Sequence, residues 1–276
     1  MEFDATFGTD APLIGMVHLP PLPGAPGAPD DGSRAMAAAV DRAERDAAAL
    51  DAGGVDGVMI ENFGDAPFYP DDVPKHTVAA TTRAAAAVAD ATDLAIGVNV
   101  LRNDAEAAVA VAAAVDAAFV RVNVHTGARV TDQGIVEGRA HETIRLRESL
   151  GVDVGVFADT DVKHSAPLTP AGYTAESFAD TTERGAADAV IASGPGTGES
   201  VDPDALQAVV DERDEHGLGT PVLVGSGVRP DTVAELLTIA DGAIVGTALK
   251  RGGETTAPVD ADRVETLVAR ADEVRG

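Results

Sequence analysis

The sequence predicts a (β/α)8 barrel, a TIM barrel folded as a single domain over residues 1–276. Eight short Val- and Ile-rich runs alternate with alanine-rich amphipathic stretches. The runs begin roughly 20–40 residues apart, the size of a βα unit. Each is bounded by Gly, Asp, Asn or Pro and is largely apolar, as a parallel strand buried on both faces requires. A length of 276 residues suits one such barrel. The competing fold, an open doubly wound sheet, needs an edge strand that the sequence does not offer.

The first run, PLIGMVH (12–18), stops at His18 and passes into PPLPGAPGAPDDG, whose prolines predict a stiff loop over the barrel mouth. A helix from Ser33 to Asp51 follows, capped by Ser33 and ended by Gly53 and Gly54. VDGVMIEN (55–62) leads through FGDAPFYPDDVPKH to a helix over 77–91. LAIGVNV (94–100) precedes a helix over 103–116. AFVRVNV (118–124) enters the long HTGARVTDQGIVEG segment and a helix over 137–150. VDVGVFAD (152–159) is followed by TDVKHSAPLTPAGY and a helix over 175–184. ADAVIAS (187–193), PVLVGSG (221–227) and DGAIVGT (241–247) complete the strands, with helices over 203–216, 230–240 and 259–274. Pro203 and Pro230 fall in first helical turns, where a missing N–H is tolerated. The long loops after the first, second, fourth and fifth strands read as functional walls or lids.

Composition narrows the function. Apolar residues make up 45% of the chain but aromatics only 3%, so Val, Ala, Leu and Ile must build the core. No apolar run approaches the ~18–20 residues of a membrane span. The start, MEFDATFGTD, has no basic residue ahead of an apolar stretch, so no secretory signal is expected and a cytoplasmic location is. The chain has no cysteine, which excludes disulfides, thiol catalysis and thiolate metal sites. Forty-six acidic residues face twenty basic ones, a net charge of −26 that repels nucleic acid and anionic lipid. Acidity this evenly spread suggests a halophile's cytosol, where the Debye length is roughly 3 Å or less. Only Lys75, Lys163 and Lys250 are lysines, and their retention in or beside βα segments hints at a needed ammonium.

Barrel active sites lie where the strands end. The predicted ends are His18, Glu61, Asn62, Asn99, Asn123, His125, Asp159, Ser193, Ser226 and Thr247, with Lys163 and His164 just beyond Asp159. Glu61 or Asp159 would act as base, and His18, His125 or Lys163 as acid or charge stabiliser, with Asn123 in the same set. Gly225, Ser226 and Gly227 with Gly246 and Thr247 form glycine-rich turns whose backbone can approach a phosphate. Ser193 and Gly194 open a second cluster, SGPGTGE, which lacks the dinucleotide fingerprint and reads equally as anion contact or lid. His18, His125, His164, Glu61 and Asp159 suit a divalent ion, but the first strand has no HxH and HETIR is not a zinc helix. Neither metal nor cofactor is expected. His141 and His216 read as structural, and no GxSxG elbow supports a serine hydrolase.

The chain resembles the BtpA/SgcQ family over nearly its whole length. The resemblance rests on IGMVHLPPLPGAPG (14–27), MIENFGDAPFYP (59–70), GVNVLRND (97–104), FVRVNVHTGARVTDQGIVEG (119–138), FADTDVKHSAP (157–167), IASGPGTGESVD (191–202), VLVGSGV (222–228) and DGAIVGTALK (241–250). It implies a phosphate-binding-type barrel similar to phosphoribosylanthranilate isomerase. The family is named for a role in photosystem I biogenesis and brings no settled reaction with it. The expected activity is acid–base chemistry, as an isomerase, a lyase or aldolase, or a glycosidic-bond-cleaving enzyme. Its substrate would be a small phosphorylated metabolite such as a sugar phosphate or phosphoribosyl compound. The alternatives are a non-catalytic assembly factor and a metal-dependent hydrolase. A homo-oligomer is compatible with the sequence but not specified by it.

Overall fold

The computed structural model describes residues 1–160, 164–168, 177–194 and 201–275. Eight parallel strands close into a barrel: β1 (Leu13–His18), β2 (Gly57–Glu61), β3 (Ala95–Asn99), β4 (Phe119–Val122), β5 (Gly155–Asp159), β6 (Ala189–Ala192), β7 (Val222–Gly225) and β8 (Ala243–Val245). Each pairs with its sequence neighbours, and β8 closes on β1. All eight lie inside the predicted runs, and the (β/α)8 expectation holds. The helices are α1 (Phe3–Phe7), α2 (Gly32–Ala52), α3 (Lys75–Ala91), α4 (Ala105–Ala114), α5 (Ala140–Leu150), α6 (Pro203–Glu215), α7 (Val233–Leu236) and α8 (Ala261–Ala271). No helix among the described residues is long and apolar enough to cross a membrane.

Several expectations change. Asp31, not Ser33, caps α2: its carboxylate accepts from the Ser33 and Arg34 amides. The helix expected over 230–240 contracts to α7, and within 175–184 a wide helical turn spans Asp180–Arg184. The loops after β4 and β5, expected only as functional walls or lids, have strands of their own. They build a three-stranded antiparallel sheet from Ala128–Thr131, Gly134–Glu137 and Ser165–Pro167. The proline-rich stretch after β1 packs against the segment that follows β2. Asp65 accepts from the Leu22 amide at 2.8 Å, and a Cβ on Gly64 would collide with the Pro20–Pro21 backbone.

The core has two layers. Val, Ala and Leu fill the space between strands and helices, as the composition requires. Inside the barrel the aromatics gather instead: Phe119 and Phe157 stack at 4.5 Å, and Phe7 of α1 meets Phe119 at 5.7 Å. Gly97 makes room for this, because a Cβ there would lie 2.2 Å from the Phe119 ring. The short α1, absent from the sequence reading, thus plugs the lower, N-terminal end.

That end is also pinned by charge. Asp56, Asp188 and Asp241 lie just ahead of β2, β6 and β8. Each carboxylate accepts a backbone N–H from the start of the preceding strand: Leu13 at 2.7 Å, Val156 at 2.8 Å and Val222 at 2.8 Å. Each also takes an arginine: Arg275, Arg147 and Arg213. One side chain therefore satisfies a strand-end donor and fixes a guanidinium.

Candidate functional site

Side chains alternate along a strand, so every second residue points into the barrel. Ile14, Met16 and His18 share one parity on β1, and Met59 and Glu61 share one on β2. Pairing sets His18 beside Glu61, Glu61 beside Asn99, and Asn99 beside Arg121. Four polar residues from four adjacent strands thus form one tier above the apolar floor. Above it opens a cavity of about 680 Å³.

His18 and Glu61 line the cavity, each 7% exposed. The His18 ring rests 4.8 Å from that of Phe63, and Nδ1 lies 3.1 Å from the Thr255 carbonyl. A carbonyl only accepts, so Nδ1 carries the proton there. Nε2 then faces Glu61, 3.8 Å from Oε1. Gly246 makes this placement possible, since a Cβ would come within 3.1 Å of His18 Cε1.

Arg121, missed in the sequence reading, is the floor's charged centre. Its Nε and Nη2 donate to the two oxygens of Asp159, both at 3.0 Å, and Asn123 donates to Asp159 at 2.7 Å. Burial alone would lower the Arg121 pKa, but Asp159 and then Glu61 outweigh it and hold the value above the ordinary one. Arg121 therefore stays charged. Asp159 is engaged by Arg121 and Asn123 beneath the cavity, whereas Glu61 and Asn123 line it. Asn99 bonds the Arg121 carbonyl and Asn123, yet its Oδ1 is a buried acceptor without a protein donor.

The opposite wall carries the glycine turns. Gly225, Ser226, Gly227, Gly246 and Thr247 all border the cavity. Ser226 has φ of 141°, a backbone conformation that side chains rarely adopt. Gly225 cannot bear a Cβ, which would lie 2.6 Å from Ile191. Arg229 and Arg263 add charge on this side, while Arg102 borders the cavity beyond β3. Asn62 holds the segment leading to Arg102 by accepting from the Leu101 amide at 2.7 Å.

Other sequence candidates fall elsewhere. His125 is absent from the mouth: it is buried behind the β4 end, with Nε2 donating to the Gly185 carbonyl at 2.7 Å. Burial lowers its pKa, favouring the neutral ring. Ser193 donates to the Gly225 carbonyl at 2.8 Å, and neither it nor Gly194 borders the cavity. Lys163 lies outside the described residues. Lys250 is not at the mouth but fully buried, donating to the Met16 carbonyl at 2.8 Å and to Asp46 at 3.1 Å. Lys75 simply opens α3. His164 does border the cavity. Among the described residues no three His, Asp or Glu side chains gather as a metal site.

A closed parallel barrel with a cavity at its strand ends defines the TIM-barrel class. Solved structures agree on the fold. Phosphoribosylanthranilate isomerase from Thermus thermophilus superposes with a TM-score of 0.55 at 12% identity, covering 96% of this chain and all of that one. The chain belongs to the BtpA family, whose pattern matches residues 9–273. A protein of unassigned role from Thermococcus kodakarensis is 48% identical over 96% of each chain. The photosystem I biogenesis protein BtpA of Synechocystis is 44% identical over 97% of this chain and 90% of its own. The role named among these relatives is biogenesis and not a reaction. It favours the assembly-factor alternative over the enzyme reading.

Proposed function

We propose that the chain binds a small phosphorylated metabolite at the barrel mouth. The observation that carries this is the local reversal of charge. In a chain of net charge −26, four arginines, Arg102, Arg121, Arg229 and Arg263, line one cavity against two carboxylates, Glu61 and Asp132. An anion placed there meets charge-assisted donors and two glycine turns, the arrangement used for phosphate on barrels of this kind. The β7–β8 side, with Gly225, Ser226, Gly227, Gly246, Thr247 and Arg229, would hold the phosphate. His18 Nε2 and Glu61 would face the ligand's body as a proton-transferring pair, above the Arg121–Asp159–Asn123 floor. Isomerisation, aldol cleavage or glycosidic cleavage would each use such a pair. The reading needs no metal or cofactor, keeps residues 1–276 as one domain, and places it in the cytoplasm of a high-salt cell.

Calorimetric titration in molar KCl with glucose 6-phosphate and with inorganic phosphate tests the binding. Binding that Gly227→Asp abolishes supports the reading; no binding to the wild type rejects it. The second reading, an assembly factor, is favoured by the 44% identity to the Synechocystis biogenesis protein. The two diverge on turnover. Phosphorus NMR of a bound metabolite that changes with time identifies an enzyme. A static spectrum, with a protein partner recovered from the native host, identifies a ligand-sensing scaffold.

A further inference from the structure

The mouth is cationic on two opposite sides. In the closed ring of eight, β3 and β7 lie four strands apart, directly across the barrel. Arg229 follows β7 by four residues, and Arg102 follows β3 by three. Both border the same cavity, as do Arg263 of α8 and Arg121 in the floor.

The guanidiniums share a manner of attachment. Arg102 Nε donates to Gln133 Oε1 at 3.1 Å, Arg229 Nε to Asp231 at 3.1 Å, and Arg263 Nε to the Ala248 carbonyl at 2.8 Å. An arginine anchored through Nε keeps its Nη donors for a further acceptor. Arg102 is the most telling. It is 8% exposed, and its close neighbours are the neutral Gln133 amide and the Phe68 ring, 5.9 Å from Cζ. Its nearest carboxylate oxygen, on the largely exposed Asp132, is 3.7 Å away. Burying a cation with so loose a counter-ion is costly, and in this acidic chain a tighter carboxylate was easily available.

The geometry points to a ligand that is anionic at both ends. One phosphate lies at the β7–β8 turns, and a second phosphate or a carboxylate lies at Arg102, with a short carbon chain between them. This rests on the phosphate reading above and names its substrate class. Bisphosphates and phosphorylated acids share the chemistry, and matched probes separate them. Fructose 6-phosphate is compared with fructose 1,6-bisphosphate, and glucose 6-phosphate with 6-phosphogluconate, by calorimetry at one fixed salt concentration.

The two-anion member of at least one pair is expected to bind roughly 10- to 100-fold more tightly, the worth of one or two charge-assisted hydrogen bonds. Arg102→Gln should erase that advantage, with the unliganded melting temperature as the folding control. Asp132→Asn, on an exposed side chain that threatens no fold, should raise the advantage roughly threefold by removing the competing carboxylate. Equal binding within both pairs, or an advantage that neither substitution moves, overturns the inference while leaving monophosphate binding intact. Failure of all four probes and of inorganic phosphate overturns the phosphate reading itself.

Discussion

At the lower end of the barrel Arg147, Arg213 and Arg275 each donate to an aspartate that also holds a strand start. At the mouth Arg102, Arg229 and Arg263 make their hydrogen bonds through Nε, Arg229 to Asp231, with Asp132 a looser 3.7 Å from Arg102 Nη2, and they border a cavity of about 680 Å³. The lower end adds a stacked phenylalanine plug, whereas the mouth spends its Phe63 and Phe68 on the cavity wall. The contrast teaches how one fold divides its labour. Charge that is geometrically satisfied within the protein holds the barrel together, and charge left with open donors is available for an anion.

The largest effect should come from the plug. Phe119→Ala removes a fully buried ring from the lower core and should lower unfolding free energy by about 3–5 kcal/mol. Denaturant melts measure the loss, and phosphate affinity of the folded protein should not change. A loss of affinity instead would break the division between the ends.

Asp188→Ala comes next. It strips the Val156 N–H and the Arg147 guanidinium of a shared acceptor and should cost about 2–3 kcal/mol, again without touching affinity.

Lys250 sharpens the comparison, since it is an upper-end cation with its partners inside the protein. Strand pairing between β1 and β8 stops at Gly15 and Val245, and the next β1 carbonyl, Met16, takes its donor from Lys250. Burial lowers the Lys250 pKa from 10.5 to about 8 despite the opposing pull of Asp46. Between those values the unfolded chain holds a proton that the folded one has shed, so stability rises with pH across that window. The expected slope is on the order of 1.4 kcal/mol per pH unit. Lys250→Met should flatten it; an unchanged slope in urea melts from pH 8 to 10 would refute the assignment.

Arg229→Ala is the mirror experiment and the smallest change to the fold. Stability should stay within about 0.5 kcal/mol, while phosphate affinity falls roughly tenfold. Tm and calorimetry, read on the same sample, decide it.

The barrel was legible because strand and helix periods alternate along the chain: all eight strands fall inside their predicted runs, and only the helical segments after β5 and β7 come out shorter than expected. The mouth was legible in part. Reading only strand ends found His18 and Glu61 but passed over Arg121, although it shares the inward parity of Phe119 and Asn123. Reading strand ends misled at His125: β4 stops at Val122, and that ring turns away from the mouth to the Gly185 carbonyl. Of the three scarce lysines, Lys250 is buried in the fold and Lys75 opens α3, while Lys163 lies outside the described residues; the cations that line the cavity are arginines. The antiparallel sheet was written in ARVTDQGIVE, an alternating pattern around a two-residue turn at Asp132 and Gln133. The aspartates ahead of β2, β6 and β8 looked like strand punctuation, since their partners lie far away in sequence.

Those three aspartates fasten the staves in couples: first with second, fifth with sixth, seventh with eighth. The third and fourth staves have no such rivet among the described residues. Amide hydrogens along that seam should therefore exchange with solvent ahead of the others, marking where the cylinder begins to come apart.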